Sequence, residues 1–120
     1  MSLLMFSKSH LEQVLTGEKT QTRRLWDDPR VKPGKSYRAV RSDVPGSMFT
    51  KREDAPAYVL IHDVWSEKLG ELTEKDAQKE GNYTREEFVA EWERIHGEWT
   101  PELAVYVVEF TGYEEDPRTL

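Results

Sequence analysis

Gly17-Glu18-Lys19-Thr20-Gln21-Thr22-Arg23-Arg24 is the stretch that connects the first predicted helix to a predicted strand. It places three cations and two hydroxyls beside a glycine, which favours a turn because glycine tolerates positive φ. Two kinds of chemistry fit this composition. Arginine and lysine at a turn can bind an anion such as phosphate, and a threonine beside a lysine can be an activated nucleophile.

The strand that follows is predicted from Thr20 to Trp26. Side chains alternate along a strand, so two faces are expected. One face carries Thr20, Thr22, Arg24 and Trp26, and the other carries Gln21, Arg23 and Leu25. Trp26 has two interpretations, a platform for base stacking or a core residue, and burial is the commoner state of a large aromatic.

The predicted elements around this stretch alternate irregularly between strand and helix. A serine, Ser7 or Ser9, caps the first helix, whose apolar face is Leu11, Val14 and Leu15. The other strands are predicted at 3–6, 36–41, 57–65 and 103–111, and the other helices at 74–81 and 85–96. The last helix has Phe88, Trp92 and Ile95 along one apolar stripe. The run 57–65 is the most apolar and is expected near the centre of the sheet. Residues 42–56 are predicted to be a long surface loop.

Length and composition predict one domain, residues 1–112, followed by a tail, residues 113–120. The chain has no cysteine, and its three histidines are scattered, so no metal site and no cofactor are expected. No signal peptide or membrane span is evident, and a cytoplasmic protein without a membrane partner is expected.

The net charge of −6 argues against general nucleic-acid binding, but the charge is unevenly distributed. Residues 1–52 contain eleven Lys and Arg against five Asp and Glu, and residues 53–120 contain six against eighteen. A local cationic surface is compatible with a phosphate-bearing ligand held at one site.

The nucleophile interpretation requires a base close to Thr22, and Lys19 is the nearest candidate. In a regular strand the two side chains would point to opposite faces, so the interpretation holds only if Lys19 belongs to the turn after Gly17. A distant carboxylate could complete the site. Glu80 lies at the end of a predicted helix, where the helix dipole disfavours it, so a tertiary partner is expected. His62, within an apolar strand, is interpreted as a buried histidine, and His10 as a surface or capping residue.

The order of motifs resembles that of ASCH domains. The resemblance rests on Gly-x-Lys-Thr-x-Thr-x-Arg across residues 17–24, Lys-Pro-Gly at 32–34, Leu-Thr at 72–73 with Glu-Gly at 80–81, and the last strand. It covers roughly residues 3–110. It implies an α+β fold of the PUA-like type, a small mixed β-barrel with about three helices at its rim, and a cleft for RNA or a nucleotide.

The chain also resembles small bacterial amidohydrolases that remove the acetyl group of N4-acetylcytidine. That resemblance implies Lys19 as base, Thr22 as nucleophile and Glu80 as the third catalytic residue, with Arg24 matching the arginine after the threonine. Arg23 stands where those enzymes tend to have an apolar residue. Ribonuclease activity has also been proposed for ASCH proteins and stays open here.

Two functional hypotheses follow. The leading one is a cationic cleft that binds RNA, a nucleoside or a nucleotide. Its binding residues are Thr20, Arg23, Arg24 and Trp26, together with Lys19. The alternative is an amidohydrolase in which Thr22 attacks an acyl carbonyl, Lys19 takes its proton and Glu80 protonates the departing amine. The hypotheses differ in whether Lys19, Thr22 and Glu80 must meet in one cleft.

Overall fold

Five strands form one mixed sheet with three helices packed around it, as seen in a computed structural model that describes residues 2–119. The α+β fold class predicted from the sequence is confirmed. The strands are β1 (Leu3–Phe6), β2 (Gln21–Arg24), β3 (Ser36–Arg41), β4 (Ala57–Lys68) and β5 (Ala104–Tyr113). The helices are α1 (Lys8–Thr16), α2 (Glu74–Gly81) and α3 (Arg85–His96). Met1 and Leu120, the ends of the expected domain and tail, lie outside the described residues.

The sheet order is β1-β3-β4-β5-β2, so the apolar strand β4 is central, as predicted. β1 pairs with β3 in parallel, and the other neighbours are antiparallel. The β4–β5 register shifts between Ile61 and Asp63. His62 falls at this shift, and its side chain is exposed and contacts the Thr111 hydroxyl at 2.6 Å. The interpretation of His62 as a buried histidine was therefore wrong.

The sheet is open, in contrast to the barrel that the resemblance implied. β1 and β2 are its two edges, and no strand pairing joins them within residues 2–119. A side chain spans the gap instead, since the Arg24 guanidinium donates from Nη2 to the Met5 carbonyl at 2.8 Å. Residues of both edges line the cavity of the candidate site.

The helices begin where the sequence predicts. Ser7 caps α1 by accepting from the backbone N–H of His10, and Thr73 and Thr84 begin α2 and α3 with complete capping boxes. Gly17 ends α1 at φ 86°, a conformation that costs glycine little. Two residues assigned to apolar helix faces are exposed, Leu15 at 41% and Ile95 at 55%. Helical spacing alone did not show that the sheet and the neighbouring helices leave these positions uncovered.

Two apolar clusters form the interior. The first packs α1 against the sheet, and the second packs α2 and α3 against β5 and the end of β4. Helix α1 approaches β5 closely at Gly112, where an added Cβ would lie 2.3 Å from the Val14 carbonyl oxygen. Only glycine therefore fits at this position without a shift of the helix.

The loop of residues 42–56 contains two short 3₁₀ turns, Ser47–Phe49 and Arg52–Asp54. Arg52 binds Asp116 at 2.7 Å and the Ser36 carbonyl at 3.0 Å, which fixes the loop to the segment after β5. Over residues 2–119, no helix has the length and apolar character needed to cross a membrane.

Candidate functional site

The first part of the site is the turn between α1 and β2. Strand β2 starts at Gln21, so Lys19 and Thr20 precede it and are free of strand alternation. The Lys19 amide donates to the Gln13 carbonyl of α1 at 3.0 Å, and the Thr20 amide donates to the Lys79 carbonyl of α2 at 2.9 Å. The direction of Lys19, which the sequence left open, is therefore set by contacts with two helices.

The Lys19 side chain is buried at the C-terminal end of α2. Its Nζ donates to the carbonyl of Glu80 at 2.7 Å, the Glu80 Oε1 at 3.3 Å and the Gln21 carbonyl at 2.9 Å. A cation is favourable at a helix C-terminus because free carbonyls and the helix dipole face it. Burial lowers the pKa of Lys19, and the charge of Glu80 opposes that shift.

Arg23 is the second cation bound to Glu80. Its Nη1 donates to Glu80 Oε2 at 2.9 Å and to Gln21 Oε1 at 2.7 Å. Its Nη2 lies 3.5 Å from Glu67 Oε1 and 3.5 Å from Asp76 Oδ2. The side chain is 0% exposed, so the small exposed part of the residue belongs to its main chain. The guanidinium predicted to bind a ligand is thus enclosed by carboxylates.

Thr22 and Arg24 lie on the opposite face of β2, as strand alternation predicted. Arg24 donates from Nε to the Thr22 hydroxyl at 3.1 Å, and its guanidinium lies 5.1 Å from the centre of the Phe6 ring. Burial lowers the pKa of Arg24 to about 10, so it stays protonated at neutral pH. Within residues 2–119, its Nη1 has no hydrogen-bond partner and remains available to a ligand.

A cavity of about 440 Å³ brings these elements together. Lys19, Thr22 and Glu80 all line it, together with Arg23 and Arg24. The Lys19 ammonium and the Thr22 hydroxyl are not hydrogen-bonded to each other in the described part of the chain, residues 2–119. The three predicted catalytic residues therefore share a cavity, but Lys19 is bound to α2 rather than to Thr22.

One part of the cavity wall is aromatic. Tyr83, Phe88 and Trp92 line it, with the Tyr83 and Phe88 ring centres 5.9 Å apart. The His10 Nε2 and the Tyr83 hydroxyl are hydrogen-bonded at 2.8 Å. Burial, reinforced by the charge of Lys19, lowers the pKa of His10 to about 4, and burial raises the pKa of Tyr83. Both groups are therefore neutral at pH 7 and can exchange hydrogen bonds with an uncharged ligand.

Sequence reasoning missed this wall. Phe88 and Trp92 were recognised only as a helical apolar stripe, and His10 was interpreted as a surface or capping residue. Its backbone N–H does contribute to the cap, while its ring faces the cavity. One signal was available for Tyr83, because it follows the Glu80-Gly81 pair by two residues and so had to lie near Glu80.

Two predicted binding residues lie away from the cavity. Thr20 is engaged through its backbone, where its amide contacts Lys79 and its carbonyl accepts from Phe110 at 3.0 Å. Trp26 is partly buried against the first apolar cluster, with its ring centre 6.5 Å from that of Tyr106. It borders a separate depression on the far side of Arg24. No group of three or more residues of the types that ligate metals is arranged around a common point in residues 2–119.

Comparisons with known proteins identify the fold. Three solved structures are similar, each over more than nine tenths of this chain. An ASCH domain from Lactobacillus crispatus has a TM-score of 0.61 at 14% identity, covering 92% of this chain and 79% of that one. A protein of the DUF984 family from Enterococcus faecalis has a TM-score of 0.59 at 17% identity, covering 95% and 77%.

The third structure is a tyrosine-to-phenylalanine mutant of an ASCH protein from Zymomonas mobilis, with a TM-score of 0.59 at 11% identity, covering 91% of this chain and 67% of that one. No protein-family profile and no curated protein sequence matches the chain. The fold belongs to the α+β, PUA-like class. More specifically, it is the fold of ASCH domains, as the sequence motifs implied.

Proposed function

We propose that the cavity binds a nucleobase, as part of a nucleoside, a nucleotide or RNA. The observation that carries this proposal is the combination of two kinds of side chain in one cavity. A protonated arginine and a threonine hydroxyl line it together with the rings of Tyr83, Phe88 and Trp92. A planar, polar-edged ligand matches both kinds, because its faces can pack on aromatic rings and its edges can hydrogen-bond.

The size and chemistry of the cavity support this class of ligand. Its volume of about 440 Å³ lies in the range of small-molecule sites. Stacking of a base on an aromatic side chain contributes about 1–3 kcal/mol. The free Nη1 of Arg24 supplies charged donors for a carbonyl or phosphate oxygen. His10 and Tyr83 add neutral groups that can recognise a base edge.

The test is binding of a panel containing the four ribonucleosides, N4-acetylcytidine, the 5′-mononucleotides and short single-stranded RNA, measured by calorimetry and by tryptophan fluorescence. Arg24→Met is expected to weaken binding at least tenfold. Arg118→Met is the matched control, since it removes the same charge from an exposed side chain in a different depression. Absence of binding by every member of the panel to the folded wild-type protein would contradict the proposal.

A second candidate is the amidohydrolase, favoured by two observations: Lys19, Thr22 and Glu80 line the same cavity, and burial lowers the pKa of Lys19. In this candidate the Thr22 oxygen attacks the acyl carbon while its proton passes to the neutral Lys19 amine. Arg24 donates to the oxyanion. The carbon–nitrogen bond then breaks, the leaving nitrogen takes the proton from Lys19, and water hydrolyses the acyl-threonine ester.

The contacts of Glu80 modify the role suggested for it. Each of its carboxylate oxygens accepts from a cation, Oε1 from Lys19 and Oε2 from Arg23. Glu80 is thus arranged as an acceptor that orients Lys19, and in this candidate Lys19 delivers the proton to the leaving nitrogen. Lys19 must also release one of its three acceptors before it can reach Thr22. The contact to Glu80 Oε1, at 3.3 Å, is the longest of the three.

The hydrolase candidate is tested by incubating the protein with N4-acetylcytidine and following cytidine and acetate. Turnover is expected to be abolished in Thr22→Val, which keeps the side-chain shape but removes the hydroxyl. In the wild type it should increase with pH as Lys19 loses its proton. Binding of the substrate without release of acetate would reject this candidate and leave the binding function. Equal turnover in Thr22→Val would reject Thr22 as the nucleophile.

A further inference from the structure

A second depression, of about 330 Å³, adjoins the cavity on the far side of Arg24. Met5 and Arg24 line both spaces, so the two meet where the Arg24 side chain crosses from β2 to β1. The remaining border of the depression includes Trp26, Arg30 and Met48. An extended ligand could therefore occupy the cavity and the depression together.

We propose that this depression is a subsite for the nucleotide next to the one in the cavity, so that the ligand is a single-stranded oligonucleotide. The inference rests on the proposed nucleobase-binding function and specifies its ligand class. A phosphodiester would lie beside Arg24 and Arg30, and the neighbouring base would pack against Trp26 and Met48. The next three observations support this assignment.

The first observation is the cationic border. The Arg30 guanidinium lies 5.9 Å from the centre of the Trp26 ring. Arg30 is exposed, and within residues 2–119 it forms no ion pair or side-chain hydrogen bond. Asp27 and Asp28, close to it in sequence, do not border the depression. Two arginines without a facing carboxylate are suited to a phosphodiester, which carries one negative charge.

The second observation is the aromatic surface beside those cations. Trp26 is only partly buried; it packs against the first apolar cluster, and the Arg30 guanidinium lies over its ring. Base stacking combined with arginine contacts is the usual composition of sites for single-stranded nucleic acids, because every base has a π face. The Arg30 guanidinium already lies over the Trp26 ring, and we expect the base to stack next to this pair.

The third observation is the exposed apolar tip of the loop of residues 42–56. Met48 is 56% exposed at the border of the depression, and the adjacent Phe49 is 80% exposed. Large apolar side chains exposed together next to a cationic site often mark a binding surface. In this proposal the loop of residues 42–56 forms one side of the subsite, a function that its sequence did not specify.

The test compares affinities for ribonucleosides, their 5′- and 3′-monophosphates, and mixed dinucleoside monophosphates. The wild type is expected to bind its preferred dinucleoside monophosphate at least tenfold more tightly than the corresponding nucleoside. Arg30→Gln should remove that gain and reduce the salt dependence, while leaving nucleoside affinity unchanged. Arg30 is exposed, so the variant is expected to fold, and Arg118→Met is the matched charge control.

The outcomes separate the two proposals. If a nucleoside binds but the dinucleoside monophosphate binds no better, the second subsite is rejected and the cavity remains. If a mononucleotide binds as tightly as the dinucleotide, the depression holds only a phosphate, and the oligonucleotide assignment is rejected. If Arg30→Gln weakens nucleoside and dinucleotide equally, Arg30 acts on the cavity instead. If the wild type binds none of these compounds, both proposals fail.

Discussion

Arg23 and Arg24 are consecutive residues on a four-residue strand, yet they lie in opposite surroundings. Both residues border the cavity, but Arg23 is enclosed by three carboxylates and its side chain is 0% exposed. Arg24 faces the cavity and contacts a hydroxyl, a carbonyl and an aromatic ring. Its Nη1 has no hydrogen-bond partner within residues 2–119. One face of β2 therefore contributes a buried ionic cluster to the fold, and the other contributes charge to the candidate site.

The comparison shows that a cationic sequence does not define a cationic surface. Arg23 and Lys19 both contribute to the excess of positive charge in residues 1–52, but Glu80 and its neighbours neutralise them inside the protein. Arg24 is the cation of residues 17–24 that is left to act on a ligand. Mutations on the two faces should consequently separate stability from binding.

The largest effect is expected for Glu80→Gln, which removes the charge shared by Lys19 and Arg23. Breaking a buried ion pair from one side leaves an uncompensated charge and costs about 3–5 kcal/mol. Urea unfolding should show this loss. Glu102→Gln is the control, because its pair with Lys68 is exposed and should contribute no more than about 0.5 kcal/mol. Equal losses in the two variants would mean that the Glu80 cluster is not an energetic unit.

A smaller loss, about 2–3 kcal/mol, is expected for Arg23→Met, because methionine fills the space and Glu80 keeps Lys19 as a partner. The double variant with Glu80→Gln tests the coupling. Residues in one network give non-additive effects, so the double variant should be at least about 1 kcal/mol more stable than the sum of the single losses predicts. Strict additivity would show that Arg23 and Glu80 act independently.

Arg24→Met should affect ligand affinity more than stability. Its loss of stability is expected to be only about 1–2 kcal/mol, because the two hydrogen bonds lost lie at a partly exposed cavity wall. Its loss of ligand affinity should exceed that of Arg23→Met. Thermal unfolding and ligand titration of the same two preparations make the comparison. A larger affinity loss in Arg23→Met would mean that the buried face controls binding.

The last prediction concerns pH and His10, and its effect appears only in acid. Its pKa falls from 6.5 in the unfolded chain to about 4 in the folded protein. The unfolded state therefore takes up a proton first, and this contribution to stability is complete above pH 6.5 and is lost as the pH falls towards 4. Part of the acid-induced decrease in Tm between pH 7 and 4 should disappear in His10→Gln. If Tm decreases by the same amount in His10→Gln as in the wild type, the decrease is caused by other titratable groups.

Local rules predicted much of this structure. Capping residues gave the starts of the three helices, Gly17 gave the end of the first, and alternation placed Thr22 and Arg24 on one face. Each of these follows from a few neighbouring residues. The ASCH motifs extended the prediction to the fold, which the solved structures confirm.

What local rules could not give is the packing of α2 behind β2. That contact encloses Arg23, and it turns Lys19 towards the end of a helix about sixty residues later in the chain. The open edge between β1 and β2, the position of Trp26 outside the cavity and the exposure of Ile95 likewise depend on which surfaces meet. Periodicity describes one element at a time and does not specify such contacts.

Gly112 connects the packing of α1 on β5 to the position of the candidate site. A methyl group at this position would push against the Val14 carbonyl and displace α1 from β5. The displacement would reach the turn after the helix, because the Lys19 amide is bound to Gln13, one residue before Val14. Because Gly112 has no side chain, α1 packs directly on β5, and this close packing helps to fix the distance between the turn that carries Lys19 and Glu80.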